Sequence, residues 1–264
     1  MTLPMFDSEW SPPAGVRAAF TLRSGGASAP PWDSLNLGTH VGDDPLAVAH
    51  NRRRVAQALT LPAEPRWLSQ VHGTAVHQAG ALTRSAPSGA APSDSVPVAD
   101  AAVTREAGVV LAIMVADCLP VLLAADDGSV LGAAHAGWRG LVAGVIERTV
   151  ESMDQDPSRL HSWLGPCIGP RQFEVGDDVR QAFLAARDAA SAFEATPGGR
   201  WLCDLPGLAR ARLARLGIAR VSGGRWCTVA DPVRFYSHRR DRQTGRMAAL
   251  LWRDPAGLDT SVTM

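Results

Sequence analysis

Three side chains suited to hold a metal ion stand at the ends of apolar runs: His72 in "SQVHGT", Cys118 in "VADCLP" and His135 in "AAHAGW". Each adjoins small residues or turn formers, so a rigid strand would hold the side chain while a loop leaves it accessible. Two imidazoles and one thiolate suit zinc, and three protein ligands leave a fourth position for water or substrate, the pattern of catalytic zinc. The same types also fit plain packing, because free Cys is commonly a buried hydrophobe and polar groups at strand ends find hydrogen bonds. They fit a third chemistry too: a Cys118 thiolate nucleophile with His135 or His72 as its base, as in a cysteine hydrolase or amidase. The trio lacks a fixed spacing of the HExxH kind, and periodicity alone does not select it from the seven His and four Cys.

The elements that would position these residues belong to a chain of 264 residues, long enough to bury a substantial core and read here as a single domain over 1–264. With 46% apolar and 20% charged residues, the composition is that of an ordinary globular protein. All 26 basic residues are Arg and none is Lys, which excludes Schiff-base chemistry, pyridoxal phosphate attachment and Walker-type ATP binding. Any anionic substrate must then meet Arg, backbone N–H groups or a metal. Net charge is zero and the basic residues are scattered, which argues against nucleic acid as a partner. The longest strongly apolar stretch, 107–116, stops at Asp117, well short of a bilayer span, and the first residues lack the features of a signal peptide. No membrane partner and a cytoplasmic location are the expectations; the oligomeric state is left open. Cys118, Cys167, Cys203 and Cys227 form no CxxC pair, so the last three are expected as packed, reduced thiols.

Short strands are predicted over 16–23, around a turn at Gly73, over 107–116, and in "LPVLLAA" and "VLGAAHA", the last two forming a hairpin around "DDGS". Helices are predicted over 45–60, with Asp44 as N-cap before Pro45, and over 140–153, 177–187 and 205–216. A C-terminal hairpin is expected from "RFYSHRR" and "MAALLWR". The Pro-, Ser- and Ala-rich residues 82–99 read as a flexible loop. Strands and helices mix without strict alternation, which predicts an α/β fold, layered, with a mixed or largely antiparallel sheet.

The blocks "NLGTHVGDD", "QVHG", "VADCLPVLL", "HAGWRG", "GPCIGP", "FEVG" and "FYSHRRDRQTGRMA" occur in an order that resembles the YfiH-like family, also called the laccase-like polyphenol oxidase or purine nucleoside phosphorylase family. The resemblance runs from about Phe20 to Trp252. It implies that His72, Cys118 and His135 bind the metal, zinc with copper as the alternative, in a four-layer α/β/β/α fold. It further implies purine nucleosides and inorganic phosphate as substrates, with phosphorolysis of adenosine, inosine, guanosine and methylthioadenosine and hydrolytic deamination of adenosine. One departure is visible: Arg171 and Gln172 stand where relatives often carry Cys. The oxidase label meets a residue count, since a multicopper laccase needs paired His-x-His motifs and this chain has none, although a His2Cys set accepts a single copper ion. A non-catalytic nucleoside-binding protein is the remaining alternative.

Within that reading Asp117 is the first choice for an acid/base or metal-orienting carboxylate. Adjacent strand residues point to opposite faces, however, and a structural role is equally consistent. Asp100 is the second, with turn capping as its alternative role. Arg139 follows "HAGW" at the start of a helix and suits phosphate, with Arg23 and Arg239 as alternatives. Asn36 and Gln70 suit ribose or base, or else stabilise turns and strand ends. His238 is a substrate-binding candidate, His40 and His77 are supporting groups, and Trp138 is either a purine-stacking ring or a buried one.

Overall fold

The protein is described by a computed structural model covering residues 3–6, 9–80 and 96–255. Its strands are β1 (Met5–Phe6), β2 (Val16–Thr21), β3 (Val76–Gln78), β4 (Ala101–Thr104), β5 (Val110–Val115), β6 (Leu119–Ala125), β7 (Leu131–Ala136), β8 (Leu160–Leu164), β9 (Glu174–Val175), β10 (Phe193–Ala195), β11 (Trp201–Cys203), β12 (Arg220–Gly223) and β13 (Met247–Arg253). The helices are α1 (Pro45–Ala58), α2 (Trp138–Ala143), α3 (Val145–Met153), α4 (Asp177–Ala185), α5 (Leu205–Arg215) and the single turn α6 (His238–Asp241). The loop expected over 82–99 falls largely outside the described residues.

Two sheets stack face to face. One is antiparallel, in the order β1-β2-β13-β5; the other is mixed, in the order β12-β8-β6-β7-β4-β3. Phe20, Leu111, Ile113, Leu251 and Met247 from the first meet Leu122, Ala133, Leu131 and Trp163 from the second. Beyond the six-stranded sheet, Val121, Leu123 and Ala134 pack on Leu141, Ile146, Leu208 and Leu213 of α2, α3 and α5. Beyond the four-stranded sheet, Ala112, Leu250 and Trp252 pack on Leu35, Leu37, Trp67 and Val55 of α1. Apart from a small third sheet, β10-β11-β9, the layers are thus α/β/β/α, as the resemblance implies. This explains the unbroken apolar runs: every residue of β5, β6 and β7 is buried, because both faces of each strand are covered.

Local signals produced most elements. Asp44 accepts the N–H of Leu46 and caps α1 as expected. The "DDGS" turn joins β6 and β7 as an antiparallel hairpin. The helix predicted over 140–153 is instead two helices, because Gly144 adopts φ +97° and closes α2 while opening α3. The predicted C-terminal hairpin is also corrected: His238–Asp241 forms α6, capped by Ser237, and β13 lies between β2 and β5. An all-apolar strand such as "MAALLW" gains more from two neighbours in a covered sheet than from a sequence-adjacent partner at an edge. Around Gly73 only β3 is regular. Arg66 and Ser69 make isolated bridges, and His72 itself takes φ +62°.

Leu122, fully buried between the sheets, is expected to cost about 2–5 kcal/mol when replaced by Ala, whereas Leu46→Ala at an exposed position of α1 should stay within about 0.5 kcal/mol. Urea unfolding of the two variants measures the difference.

Candidate metal centre and its cavities

The β6–β7 hairpin brings two of the three proposed ligands together. Pro120 pairs with His135, so Cys118, just before β6, stands beside the end of β7. The third arrives on the turn at 71–73. Asp100, fully buried at the start of β4, accepts the N–H groups of Val71, His72 and Gly73 at 3.1, 2.8 and 2.7 Å. Its Oδ1 also lies 2.8 Å from His135 Nδ1, and its carbonyl accepts the His135 N–H at 2.7 Å. One carboxylate therefore fixes the backbone that carries His72 and the ring of His135. Gly137 is required by close approach, since a Cβ there would stand 2.9 Å from Cys118 Sγ and 3.0 Å from His72 Cδ2.

The donor set fits zinc. One ligand atom from each of His72, Cys118 and His135 lies within 4.8 Å of the other two, and Cys118 Sγ is 3.7 Å from His72 Nε2. A tetrahedral zinc with nitrogen and sulfur ligands places its donors roughly 3.5 Å apart. Asp100 occupies His135 Nδ1, which leaves Nε2 for the metal; a carboxylate behind a ligating imidazole fixes its tautomer and orientation.

Electrostatics favour the charged forms. Burial opposes ionisation of Cys118, but the His135 charge and hydrogen bonds from His135 and His72 bring its thiol down to about 6. Burial likewise opposes charge on His135, yet the Cys118 thiolate and the Asp100 carboxylate carry it up to about 9. Asp100 stays below the usual carboxylate range: burial raises it, and the His135 hydrogen bond with the Gly73 and Val71 N–H groups outweighs that.

Two cavities meet at this centre. The larger, about 400 Å³, is lined by His40, Gln70, His72, Met114, Cys118, His135, Arg139, His238 and Arg246 among others. The smaller, about 140 Å³, is mainly apolar and lined by Trp138, Ile168, Phe173 and Leu205, with Asp117 and Arg239 at its wall. Ala116, Cys118 and His238 belong to both.

The remaining sequence candidates separate by position. Asp117, at φ +86°, accepts Thr228 Oγ1 at 2.5 Å, Ser237 Oγ at 3.0 Å and the Arg239 N–H at 2.6 Å, so its carboxylate ties the β5–β6 connection to the start of α6. Arg139 reaches the larger cavity, its guanidinium over the Trp138 ring at 4.4 Å. His238 donates from Nδ1 to the Arg242 carbonyl at 2.7 Å, leaving Nε2 as the acceptor at the shared wall. Arg239 donates to the Glu174 carbonyl and lies over Phe173. Gln70 lines the larger cavity, but its amide exchanges two 2.8 Å hydrogen bonds with the Met114 backbone. Asn36 is buried and braces Gly38 and Arg246 through their backbone, the turn-stabilising role. Arg23 lies apart, pairing with Asp33 and the Pro232 carbonyl beside a separate open cavity. His77, on β3, is absent from the lining of both cavities.

Sequence reasoning missed Arg246. It sits in "QTGRMA", inside a block quoted for the resemblance, but nothing local marks it, because the turn before β13 brings it to the cavity wall.

Replacing Asp100 by Asn should lower zinc affinity roughly 10–100-fold, measured by chelator competition. In metal-stripped protein, alkylation of Cys118 should rise through about pH 6 and level off above it, since a lowered thiol pKa means thiolate on the alkaline side. Asp100→Asn weakens the imidazolium at His135 and should move that midpoint upward.

Comparison with known proteins places the chain. A family model described as multi-copper polyphenol oxidoreductase laccase matches residues 17–254. A purine nucleoside phosphorylase of Xylella fastidiosa is 51% identical over 253 residues, covering 93% of this chain and 95% of that protein. The purine nucleoside phosphorylase YfiH of Escherichia coli is 48% identical over 244 residues, covering 92% and 96%. A crystal structure of a Neisseria meningitidis protein superposes with a TM-score of 0.87 at 44% identity, covering 95% of this chain and 99% of that one. The structure of YlmD from Geobacillus stearothermophilus superposes with a TM-score of 0.80 at 35% identity, covering 92% and 93%. Sharing its sequence blocks, its layered fold and almost its whole length with these proteins, the chain belongs to the YfiH-like family.

Proposed function

We propose that the protein is a zinc-dependent purine nucleoside enzyme that cleaves adenosine, inosine, guanosine and methylthioadenosine by phosphorolysis and deaminates adenosine by hydrolysis. The observation that carries this reading is the donor set of His72, Cys118 and His135, braced by Asp100 and opening on one polar and one apolar cavity. The names of the relatives supply the substrate class. None of the helices of the described residues is long and apolar enough to cross a membrane.

In phosphorolysis the C1′–N9 bond of the nucleoside breaks, a bond forms from C1′ to a phosphate oxygen, and the base leaves with a proton. The apolar cavity takes the purine, with Trp138 and Phe173 presenting ring surface and Arg239 at its wall. His238, whose Nδ1 is engaged by Arg242, accepts at Nε2 the proton that the entering dihydrogen phosphate gives up and passes it to the departing base. Asp117 acts as a positioning residue, because its hydrogen bonds from Ser237 and the Arg239 N–H hold the backbone that presents His238 and Arg239. Arg139 contacts phosphate from the polar side. Zinc bound by the trio supplies Lewis-acid polarisation of a substrate or water oxygen. Copper fits the same ligands, but multicopper oxidation requires a trinuclear cluster for which the chain has no His-x-His pairs.

A second reading rests on the depressed Cys118 thiol beside two imidazoles, the state of a cysteine nucleophile. Mass spectrometry of metal-quantified protein with the four nucleosides, with and without phosphate, separates the two. Ribose 1-phosphate, or its methylthio analogue, should form with the free base only when phosphate is present, and adenosine should yield inosine. Cys118→Ala should abolish both together with bound zinc. A covalent substrate adduct on metal-free wild type would establish the nucleophile instead, and no turnover with zinc present would leave a nucleoside-binding protein. His238→Asn, with zinc content unchanged, should lower kcat about 100-fold while altering KM for the nucleoside less than threefold.

A further inference from the structure

The larger cavity holds an unusual balance of charge. Its lining includes Arg139, Arg246 and His40 and no carboxylate side chain. Arg246 is half-buried, and burial draws its guanidinium below the usual range against the opposing pull of the Cys118 and Asp117 charges. Its Nη1 donates to the carbonyls of Thr244 and Gly245, which fixes the side chain in place. Among the described residues it makes no ion pair, and its Nε and Nη2 take no hydrogen bond. Arg139 is likewise without an ion pair or hydrogen bond there, and rests on Trp138 alone. The fully buried Arg212, by contrast, meets Asp188 and Glu147, while the half-buried Arg52 donates to the Leu37 carbonyl and rests on Trp67. A guanidinium drawn partly out of water, with free donors and no carboxylate in contact, is costly, and an anionic ligand relieves that cost.

We infer that Arg246 and Arg139, with His40 beside them, form the subsite for a tetrahedral oxyanion, inorganic phosphate, on the polar side of the Cys118 centre. Two guanidinium groups offer forked N–H donors that match phosphate oxygens. They come from segments about a hundred residues apart, one on α2 and one in the turn before β13, so the anion bridges them. The apolar cavity, across Cys118 and His238, remains open for the base. That the anion is phosphate, and which substrate it attacks, rests on the proposed phosphorolysis; that an oxyanion binds between these guanidinium groups rests on the cavity itself.

The test uses zinc-loaded, full-length protein and inorganic phosphate as probe, in calorimetry and in 31P line broadening without nucleoside. Wild type should bind phosphate, and Arg246→Met and Arg139→Met should each weaken it roughly tenfold or more. Arg246→Lys, which keeps the charge and loses the fork, should fall between. Since Arg246 also contacts backbone, the exposed Arg139 supplies an independent variant whose folding is checked by its unchanged zinc content. In turnover, KM for phosphate should rise in both variants while KM for the nucleoside moves less than about threefold. Phosphate affinity unchanged in both folded variants, or no phosphate binding by wild type, overturns the subsite. Phosphate binding lost in the variants but no phosphorolysis by wild type would uphold the subsite and overturn the proposed reaction.

Discussion

The buried carboxylate of Asp100 is the constraint on which the centre depends. It accepts three consecutive backbone N–H groups and one imidazole N–H, all at 3.1 Å or less. A buried carboxylate with a single partner would be a liability; with four donors it is held ionised and becomes a rigid point of reference. His72 sits in a left-handed backbone conformation, which a bulky residue adopts only when its surroundings hold it there. The hydrogen bonds from residues 71–73 to Asp100 supply that hold, so the same group that orients the His135 ring keeps His72 from drifting away.

Around this anchor the charges are arranged by distance from solvent. The thiolate and imidazolium of Cys118 and His135 each stabilise the other's charged form, and the Asp100 carboxylate tips the balance toward the cation. On one side guanidinium groups face the opening without carboxylates, while on the other Phe173, Ile168 and Leu205 make a mainly apolar wall. A ligand with an apolar ring at one end and anionic oxygens at the other matches that division.

Much of this was legible in the residues. Binary patterning and turn chemistry marked the β6–β7 hairpin and α1, and the long apolar runs marked strands covered on both faces. The residue types of the proposed ligands were visible as well, and the resemblance singled out a trio that local spacing left open and that the fold brings together. Long-range pairing was not visible. No local signal places "MAALLW" between β2 and β5, breaks a helix at Gly144, or brings Arg246 to the cavity wall. Asp117 illustrates the same limit: adjacency to Cys118 suggested chemistry, whereas its hydrogen bonds to residues 228, 237 and 239 show a carboxylate used to join distant segments.

The way Asp117 joins those segments bears on how the protein comes into being. Its side chain reaches partners 111 to 122 residues further along, and His72 meets Cys118 across 46. Closing such long loops costs chain entropy before any contact repays it, so rate and topology oppose each other. During synthesis the N-terminal part emerges with His72, Cys118 and His135 while the segment carrying Ser237, Arg239 and β13 is still missing. The half-sheet that will receive β13 then exposes the apolar edges of β2 and β5, and the nascent chain depends on its last strand to cover them.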